Sequence, residues 1–243
     1  MRAYDLATSY LASIVRAGSG MAVAGAGKRP EKLLELYDFE SCPYCRKVRE
    51  ALSILDLDAI IYPCPQGGPR FRPRAVARGG KSQFPFLVDP NTGREIYESE
   101  IIVGYLYATY GDSNVPWLLS TPLLTDISSG IASAARVTAG RIYRRSRPPA
   151  EPLELWSFEA SPYCRLVRER LCELELAYVL HNVAKGSVKR KAFVERSGEM
   201  MVPWLYDPNT KAEMFESADI CEYLEKTYAF RPESASSSMP PRP

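Results

Sequence analysis

Two cysteines separated by two residues, Cys42 and Cys45, are the strongest candidates for chemistry in this sequence. They lie in a Cys-Pro-Tyr-Cys motif, between a short apolar stretch and a stretch with helical periodicity. A cysteine at the start of a helix is held toward its thiolate form, because the helix dipole and the free N–H groups favour negative charge there. We therefore predict that Cys42 attacks disulfides and that Cys45, one turn later, closes back onto it. Arg46 and Lys47 add positive charge beside the pair.

Two other roles for this cysteine pair stay open. A structural zinc site needs four ligands, and the sequence offers only Cys64 nearby and a single histidine, His181. The pair can also be inert. Cys64 itself is a candidate third redox thiol or a packed free cysteine, whereas Cys172 and Cys221 have apolar neighbours and are expected in the core. We expect no bound metal.

The composition is that of an ordinary globular protein. The chain has 243 residues, of which 46% are hydrophobic and 25% charged, and its six cysteines are too few for a disulfide-stapled scaffold. A net charge of +2 argues against a protein that coats nucleic acid. No apolar run is long enough to predict a membrane-spanning helix. Two basic stretches, 70–81 and 141–147, are expected to be solvated surface or to contact an acidic partner or an anionic membrane.

An internal repeat organises the chain. Residues 34–46 reappear as 153–165, and residues 84–92 reappear as 202–210, at a nearly constant offset. The sequence therefore contains two copies of one domain, which we place at 31–111 and 152–229. The remaining pieces are predicted to be a leading helical segment at 1–30, a linker with a helical segment at 112–151 and a disordered tail at 230–243.

The leading segments carry a weaker repeat. Residues 11–20 are echoed at 131–140, and a segment that is duplicated within the chain is expected to be part of the fold. The alternative is a transit peptide, since the first 28 residues are poor in acidic side chains.

Within each copy the pattern predicts the order β-α-β-α-β-β-α. In the first copy the strands are predicted at 33–37, 60–62, 86–88 and 95–97, with a hairpin turn at 89–93. One helix is predicted to begin at Pro43, where the missing N–H of proline costs nothing. Another helix is predicted from Ser99 to Tyr110, with Ser99 as its N-terminal cap.

These motifs resemble known proteins. Cys-Pro-Tyr-Cys followed by Arg-Lys-Val-Arg resembles a dithiol glutaredoxin, and each whole copy resembles the thioredoxin-like N-terminal domain of glutathione transferases. The full arrangement is similar to plant and algal plastid proteins with tandem domains of this kind. The similarity rests on the segment 62–65, the Asp-Pro-Asn-Thr turn in both copies and a Glu-Ser pair in both copies. The first copy also resembles, less closely, the membrane-associated prostaglandin E synthases.

The resemblance implies two glutathione sites. It implies that Phe84-Pro85 and Val202-Pro203 are cis, and that Phe84 and Val202 offer backbone groups to the cysteinyl part of glutathione. The resemblance also implies that the Glu-Ser pairs bind the γ-glutamyl end, which suits a carboxylate at a helix N-terminus and an ammonium beside a glutamate. These pairs are Glu98-Ser99 and Glu216-Ser217. For the glycine carboxylate, Arg72 and Lys81 are candidates, although each also fits a solvated surface.

The second copy departs from the pattern. Ser161 stands where Cys42 stands in the first copy, and Cys164 occupies the second position, which is usually buried. The resemblance to serine-type plant glutathione transferases implies that Ser161 donates a hydrogen bond to the glutathione thiolate. The alternative is that the second copy is a degenerate structural partner. Complete transferases also carry an all-helical C-terminal domain, whereas only a linker separates these two copies.

From these features we predict a glutathione-linked thiol–disulfide oxidoreductase that acts on protein disulfides or glutathionylated proteins, with glutathione as co-substrate. The resemblance implies a chloroplast location, in the stroma or at a stromal membrane face. The competing hypothesis is a non-catalytic subunit or assembly factor of an organellar, possibly photosynthetic, complex. Tandem thioredoxin-like domains of which one lacks its nucleophile suit such a scaffold.

Overall fold

The computed structural model describes residues 19–116, 119 and 139–230. The elements of the first copy are β1 Leu34–Asp38, α1 Pro43–Ile54, β2 Ala59–Pro63, α2 Phe71–Gly79, β3 Phe86–Asp89, β4 Arg94–Tyr97 and α3 Ser99–Tyr110. Those of the second copy are β5 Leu153–Ser157, α4 Pro162–Glu173, β6 Tyr178–Asn182, α5 Arg190–Ser197, β7 Trp204–Asp207, β8 Ala212–Met214 and α6 Ser217–Tyr228. Both copies have the predicted β-α-β-α-β-β-α order, so the two tandem thioredoxin-like domains are confirmed.

In the first copy the first helix packs its apolar side chains against the sheet and a neighbouring helix. Strand β1 pairs parallel with β2 and antiparallel with β3, and β3 and β4 form the predicted hairpin. Helix α1 buries Val48 and Leu52 completely and packs against α3 on one face of the sheet. Since β1 ends where α1 begins, the loop between them carries the Cys-Pro-Tyr-Cys motif to the edge of the sheet.

The two copies share one continuous sheet, which the sequence analysis did not predict. Its strand order is β4-β3-β1-β2-β6-β5-β7-β8. Strands β2 and β6 pair antiparallel, with Ile60 opposite Val179. Because these two residues occupy equivalent positions in the repeat, a pseudo-two-fold axis passes between them. The copies therefore face each other as the two halves of a symmetric dimer do.

Two segments cross between the copies, and we call residues 19–29 and 139–147 the straps. In the first strap Val23 donates its N–H to the Lys185 carbonyl of the second copy, at 2.8 Å. In the second strap Tyr143 donates its N–H to the Gln66 carbonyl of the first copy, at 3.0 Å. Each strap then returns to its own copy, where Gly27 donates to Tyr110 at 2.9 Å and Arg147 donates to Tyr228 at 2.7 Å. The two straps are thus bonded to both copies, and they make equivalent hydrogen bonds.

Several predictions about the chain ends lie outside the described residues. The echoed segments 11–20 and 131–140 fall almost wholly there, as does the tail after Phe230. In their described parts, the straps form isolated bridges rather than helical turns. The bounds 31–111 and 152–229 stay a prediction. No helix within the described ranges is long and apolar enough to cross a membrane.

Candidate functional site

Cys42 caps the N-terminus of α1. Its backbone is extended, at φ −76° and ψ 122°, and its Sγ accepts a hydrogen bond from the Cys45 N–H at 3.3 Å. Pro43 follows as the first helical residue, as predicted. Both cysteines are free thiols; Cys42 is 4% exposed and Cys45 fully buried. The two sulfurs therefore differ in access as well as in position.

The surroundings shift the pKa values of the two thiols in opposite directions. The pKa of Cys42 is lowered, chiefly by its hydrogen bond with the Cys45 side chain, with smaller contributions from the backbone N–H groups of Cys45 and Tyr44 and from the Arg49 guanidinium. Burial, and next the same hydrogen bond, raises the pKa of Cys45 well above its ordinary value. Of the two thiols, Cys42 is therefore the one that ionises more readily, and Cys45 the one that keeps its proton to higher pH.

The cationic neighbours predicted for Cys42 were the wrong ones. The Lys47 ammonium forms an ion pair with Glu100 on α3, and the Arg46 Nε lies 3.9 Å from the Glu159 carboxylate of the second copy. The guanidinium that lowers the pKa of Cys42 belongs to Arg49, two turns into α1. Arg46 and Lys47 are close to Cys42 in sequence, but the packing of α1 against α3 and against the second copy directs their side chains to carboxylates elsewhere.

The difference in acidity predicts the order in which the thiols react. At about pH 6.5 iodoacetamide is expected to alkylate Cys42 first, because only thiolate reacts and this thiol ionises most readily. Burial raises the pKa of Cys64, Cys172 and Cys221, the last to about 11. Peptide mapping by mass spectrometry measures the order, with Cys42→Ser as the control. Uniform labelling that begins only above about pH 8 would contradict the assignment.

A cavity of about 310 Å³ opens at Tyr44, the residue before Cys45 in the motif. Four of its lining residues are ones predicted to bind glutathione: Phe84, Pro85, Glu98 and Ser99. Tyr44 and Gln83 complete the lining. The bond between Phe84 and Pro85 is cis, as predicted. The structure therefore brings the four predicted glutathione-binding residues of the first copy into one cavity. Cys42 and Cys45 are not in its lining, which includes Tyr44 between them in the chain.

The start of α3 has a backbone that the sequence did not predict. Ser99 is the first helical residue rather than the cap; the cap is Glu98, whose φ is 65°. A side chain in this left-handed region costs roughly 1–3 kcal/mol, and such residues cluster at functional sites. Gln83 donates to the Glu98 carboxylate, which holds that group at the cavity. The first N–H groups of the helix are the general binding site for a carboxylate.

The second copy reproduces this cavity without the sulfur nucleophile. A cavity of about 290 Å³ is lined by Tyr163, Met201, Val202, Pro203, Glu216 and Ser217. The bond between Val202 and Pro203 is cis, and Glu216 has a φ of 63°. Ser161 caps α4, and its Oγ accepts the Cys164 N–H at 3.3 Å. Four of the five sequence-predicted residues of this copy thus line the second cavity. The fifth, Ser161, stands two residues before Tyr163, which is in the lining.

The other predicted candidates lie in structural positions. Cys64 is fully buried in an aromatic cluster, and its Sγ donates to the Tyr62 carbonyl at 3.4 Å, which gives no support to a third redox thiol. Arg72 donates its Nε to the carbonyls of Cys64 and Pro65, and its guanidinium stacks on Phe84. The guanidinium is thus held by these carbonyls and by the Phe84 ring, and Arg72 is not among the residues that line the cavity.

The remaining candidates follow the same pattern. The Lys81 ammonium lies over the Tyr97 ring. Cys164 and Cys172 are buried, as predicted, while Cys221 is half-buried against the core. No group of three or more His, Cys, Asp or Glu side chains placed to hold a metal ion occurs among residues 19–116, 119 and 139–230.

A buried group of charges that the sequence did not predict lies between the copies, and we call it the central ion cluster. Its members are Asp38, Glu40, Arg46, Arg49, Glu159, Arg165 and Arg168. Arg49 of the first copy donates its Nε to Glu159 of the second at 3.1 Å, and Arg168 reaches back to Glu40. Although burial opposes it, Arg168 and Arg49 lower the pKa of Glu159 to about 2. The sequence feature that could have predicted this cluster is the repeat itself, since Glu and Arg recur at equivalent positions of the two copies.

Comparison with known proteins agrees with this geometry. The model of the glutathione S-transferase N-terminal domain family matches residues 36–114 and again residues 155–234, more than half of the chain. The chain belongs to this family. Among solved structures, a glutathione transferase of Bombyx mori, BmGSTD1, is 25% identical over 35% of this chain and 39% of that chain, with a TM-score of 0.32. The chain thus spans about two fifths of that transferase. No curated protein matches.

Both glutathione S-transferase N-terminal domains of the chain contain the cavity described above. Family membership supports a glutathione-related function for this thioredoxin-like pair. The contrast between Cys42 in one domain and Ser161 in the other is what distinguishes the two cavities chemically.

Proposed function

We propose that the protein is a glutathione-linked thiol–disulfide oxidoreductase whose first copy carries the chemistry. The observation behind this proposal is the position of Cys42, a helix-capping thiol with a lowered pKa. Beside it lies a cavity whose wall contains a cis proline, Pro85, and the Glu98-Ser99 pair. Disulfide exchange needs a thiolate and a binding site for the substrate, and both are in this copy.

In the proposed first step the Cys42 thiolate attacks the glutathione sulfur of a mixed disulfide. A bond forms between the Cys42 sulfur and the glutathione sulfur, the substrate's disulfide bond breaks, and the substrate sulfur leaves as a thiolate that takes a proton from water. A second glutathione thiolate then attacks the same glutathione sulfur, which releases oxidised glutathione and restores the Cys42 thiolate. Glutathione is therefore the reductant, and one disulfide is reduced for each one formed.

Cys45 offers a second way to resolve the intermediate. Its sulfur can attack Cys42, which forms the Cys42–Cys45 disulfide and releases glutathione; two further glutathione molecules then reduce that disulfide. This path needs Cys45 to lose a proton although its pKa is raised well above the ordinary value, chiefly by burial. We therefore assign the main path to glutathione and the dithiol path to a minor role.

The cavity suits the γ-glutamyl end of glutathione. In the proposed complex the substrate carboxylate lies at the N-terminus of α3, beside Ser99, and its ammonium pairs with Glu98. Phe84 presents its backbone to the cysteinyl part. Since Cys42 is only 4% exposed, the site favours glutathione mixed disulfides over disulfides between two folded segments. In the second copy Val202, Glu216 and Ser217 can bind glutathione in the same way, without exchange.

Turnover of a glutathionylated peptide by the purified chain, with glutathione as reductant, tests the proposal. We expect saturable turnover with ping-pong kinetics, since the enzyme carries glutathione covalently between the two steps. Glutathione binding by calorimetry is measured on the same sample. A wild-type protein with neither turnover nor glutathione binding would contradict the proposal and favour the non-catalytic assembly subunit.

We extend the proposal to the compartment and the partners. The resemblance to tandem plastid proteins supports a plastid location, and glutathionylated plastid proteins are then the substrate class. Imaging of a fluorescent fusion of the full chain in plant cells tests this part. Fluorescence confined to the cytosol would contradict it without touching the proposed chemistry.

A further inference from the structure

We propose that Arg168, in the second copy, is a positioning residue for the Cys42 thiol of the first copy. The Arg168 guanidinium makes a two-pronged contact with the Glu40 carboxylate: Nε donates to Oε2 at 3.2 Å and Nη2 donates to Oε1 at 3.1 Å. The side chains of Arg168 and Glu40 are 1% and 4% exposed. The planar fork of arginine matches a carboxylate in this way, and lysine cannot reproduce it.

Glu40 belongs to the short loop that carries the nucleophile. This loop joins β1 to α1 and closes on itself, because Cys42 donates its N–H to the Phe39 carbonyl at 3.1 Å. The Glu40 carbonyl in turn accepts a hydrogen bond from Arg49 Nη2 at 3.2 Å. Arg168 therefore contacts both oxygens of the Glu40 side chain, two residues before Cys42. Arg49 holds the Glu40 backbone and also pairs with Oε2 at 3.2 Å.

The position of this loop decides where the Cys42 sulfur lies. That sulfur accepts the Cys45 N–H at 3.3 Å, a close contact for a sulfur acceptor. A small displacement of the loop lengthens the contact and removes stabilisation of the thiolate. The reciprocal contact, from Arg49 to Glu159, holds the equivalent loop before Ser161, where no thiol lies. The copy without a nucleophile thus supplies the arginine that places the nucleophile of the other.

Charged groups approach this region from each packed element. They are Asp38, Glu40, Arg46 and Arg49 from β1, the loop and α1; Glu98 and the Lys47–Glu100 pair at α3; and Glu159, Arg165 and Arg168 from the second copy. Replacing Arg168 by lysine keeps all of these charges. A change in the behaviour of Cys42 in that variant therefore reports geometry rather than lost charge.

The test is the rate of Cys42 alkylation by iodoacetamide as a function of pH in the full-length Arg168→Lys variant. We expect the midpoint of the profile to rise by about half a pH unit, which lowers the rate at about pH 6.5 roughly threefold. The matched control is Arg70→Lys. Arg70 also crosses between the copies, to the carbonyls of Leu174 and Glu175 at 3.1 and 2.9 Å, but not to the Cys42 loop. Its profile is expected to match the wild type.

A folded Arg168→Lys protein with the wild-type profile would overturn the inference. If that variant does not fold, Glu40→Asp, which keeps the charge but shortens the reach to Arg168, is expected to shift the profile in the same direction, and a wild-type profile there overturns it as well. The inference rests on the proposed function, because positioning Cys42 matters only if this thiol reacts. The alkylation test itself does not require turnover. Absent turnover with a shifted profile would sink the proposed function alone, and normal turnover with an unshifted profile would sink the inference alone.

Discussion

Replacing Cys42 by serine is expected to abolish turnover of a glutathionylated peptide, with a loss in kcat/KM of about a thousandfold or more. A serine hydroxyl is not ionised near neutral pH and forms no disulfide, so the first step has no nucleophile. Cys45→Ser is expected to keep most of the activity, because glutathione resolves the intermediate. The matched control is Ser161→Ala, the same helix cap in the second copy, which we expect to leave turnover nearly unchanged. Wild-type turnover in Cys42→Ser would end the enzyme hypothesis.

The second copy offers the converse variant. Ser161→Cys, made in the Cys42→Ser background, restores a thiol at a helix cap beside Cys164 and next to a cavity of nearly equal volume. We expect measurable turnover to return, assayed with the same peptide and glutathione. Persistent inactivity together with glutathione binding would show that the second cavity binds glutathione in a register unsuited to exchange.

The second large effect concerns stability. Replacing Arg49 by methionine is expected to lower the free energy of unfolding by about 3–5 kcal/mol, since buried carboxylates then lose their partner. Arg49 contacts Asp38, Glu40 and Glu159. Urea denaturation followed by circular dichroism measures the loss.

The control for that measurement is Arg78→Met, the same substitution at a solvent-accessible ion pair. Arg78 pairs with Glu35 and Glu95, and its side chain is 36% exposed. Such surface pairs contribute up to about 1 kcal/mol. Equal losses in the two variants would mean that the central ion cluster contributes little more than a surface pair.

The sequence was sufficient for the parts of the fold that depend on local pattern. The pattern placed the four strands of the first copy, the start of α1 and both ends of α3 to within one or two residues. The repeat led to both cavities, because their lining residues come from motifs that the two copies share. Periodicity and motif identity are properties of neighbouring residues, so they can be read without a structure.

What escaped prediction depends on contacts between distant segments. Strand β2 reads as a short apolar strand whether it lies at an edge or in the middle, so its pairing with β6 left no local signal. Arg46 was assigned to the thiol because it is close in sequence, whereas packing of the second copy turns it toward Glu159. The left-handed backbone at Glu98 escaped because a serine before an apolar helix ordinarily reads as a cap.

The axis between Ile60 and Val179 has a consequence for how this protein can vary. In a homodimer built on the same axis, one gene specifies both halves, and every substitution appears twice. Here the two halves have different sequences, so Ser161 stands where the other half has Cys42, and Ser157 stands where the other half has Asp38. Because both halves lie in one chain, each position can vary in one half alone, while the shared sheet still requires the two halves to fit.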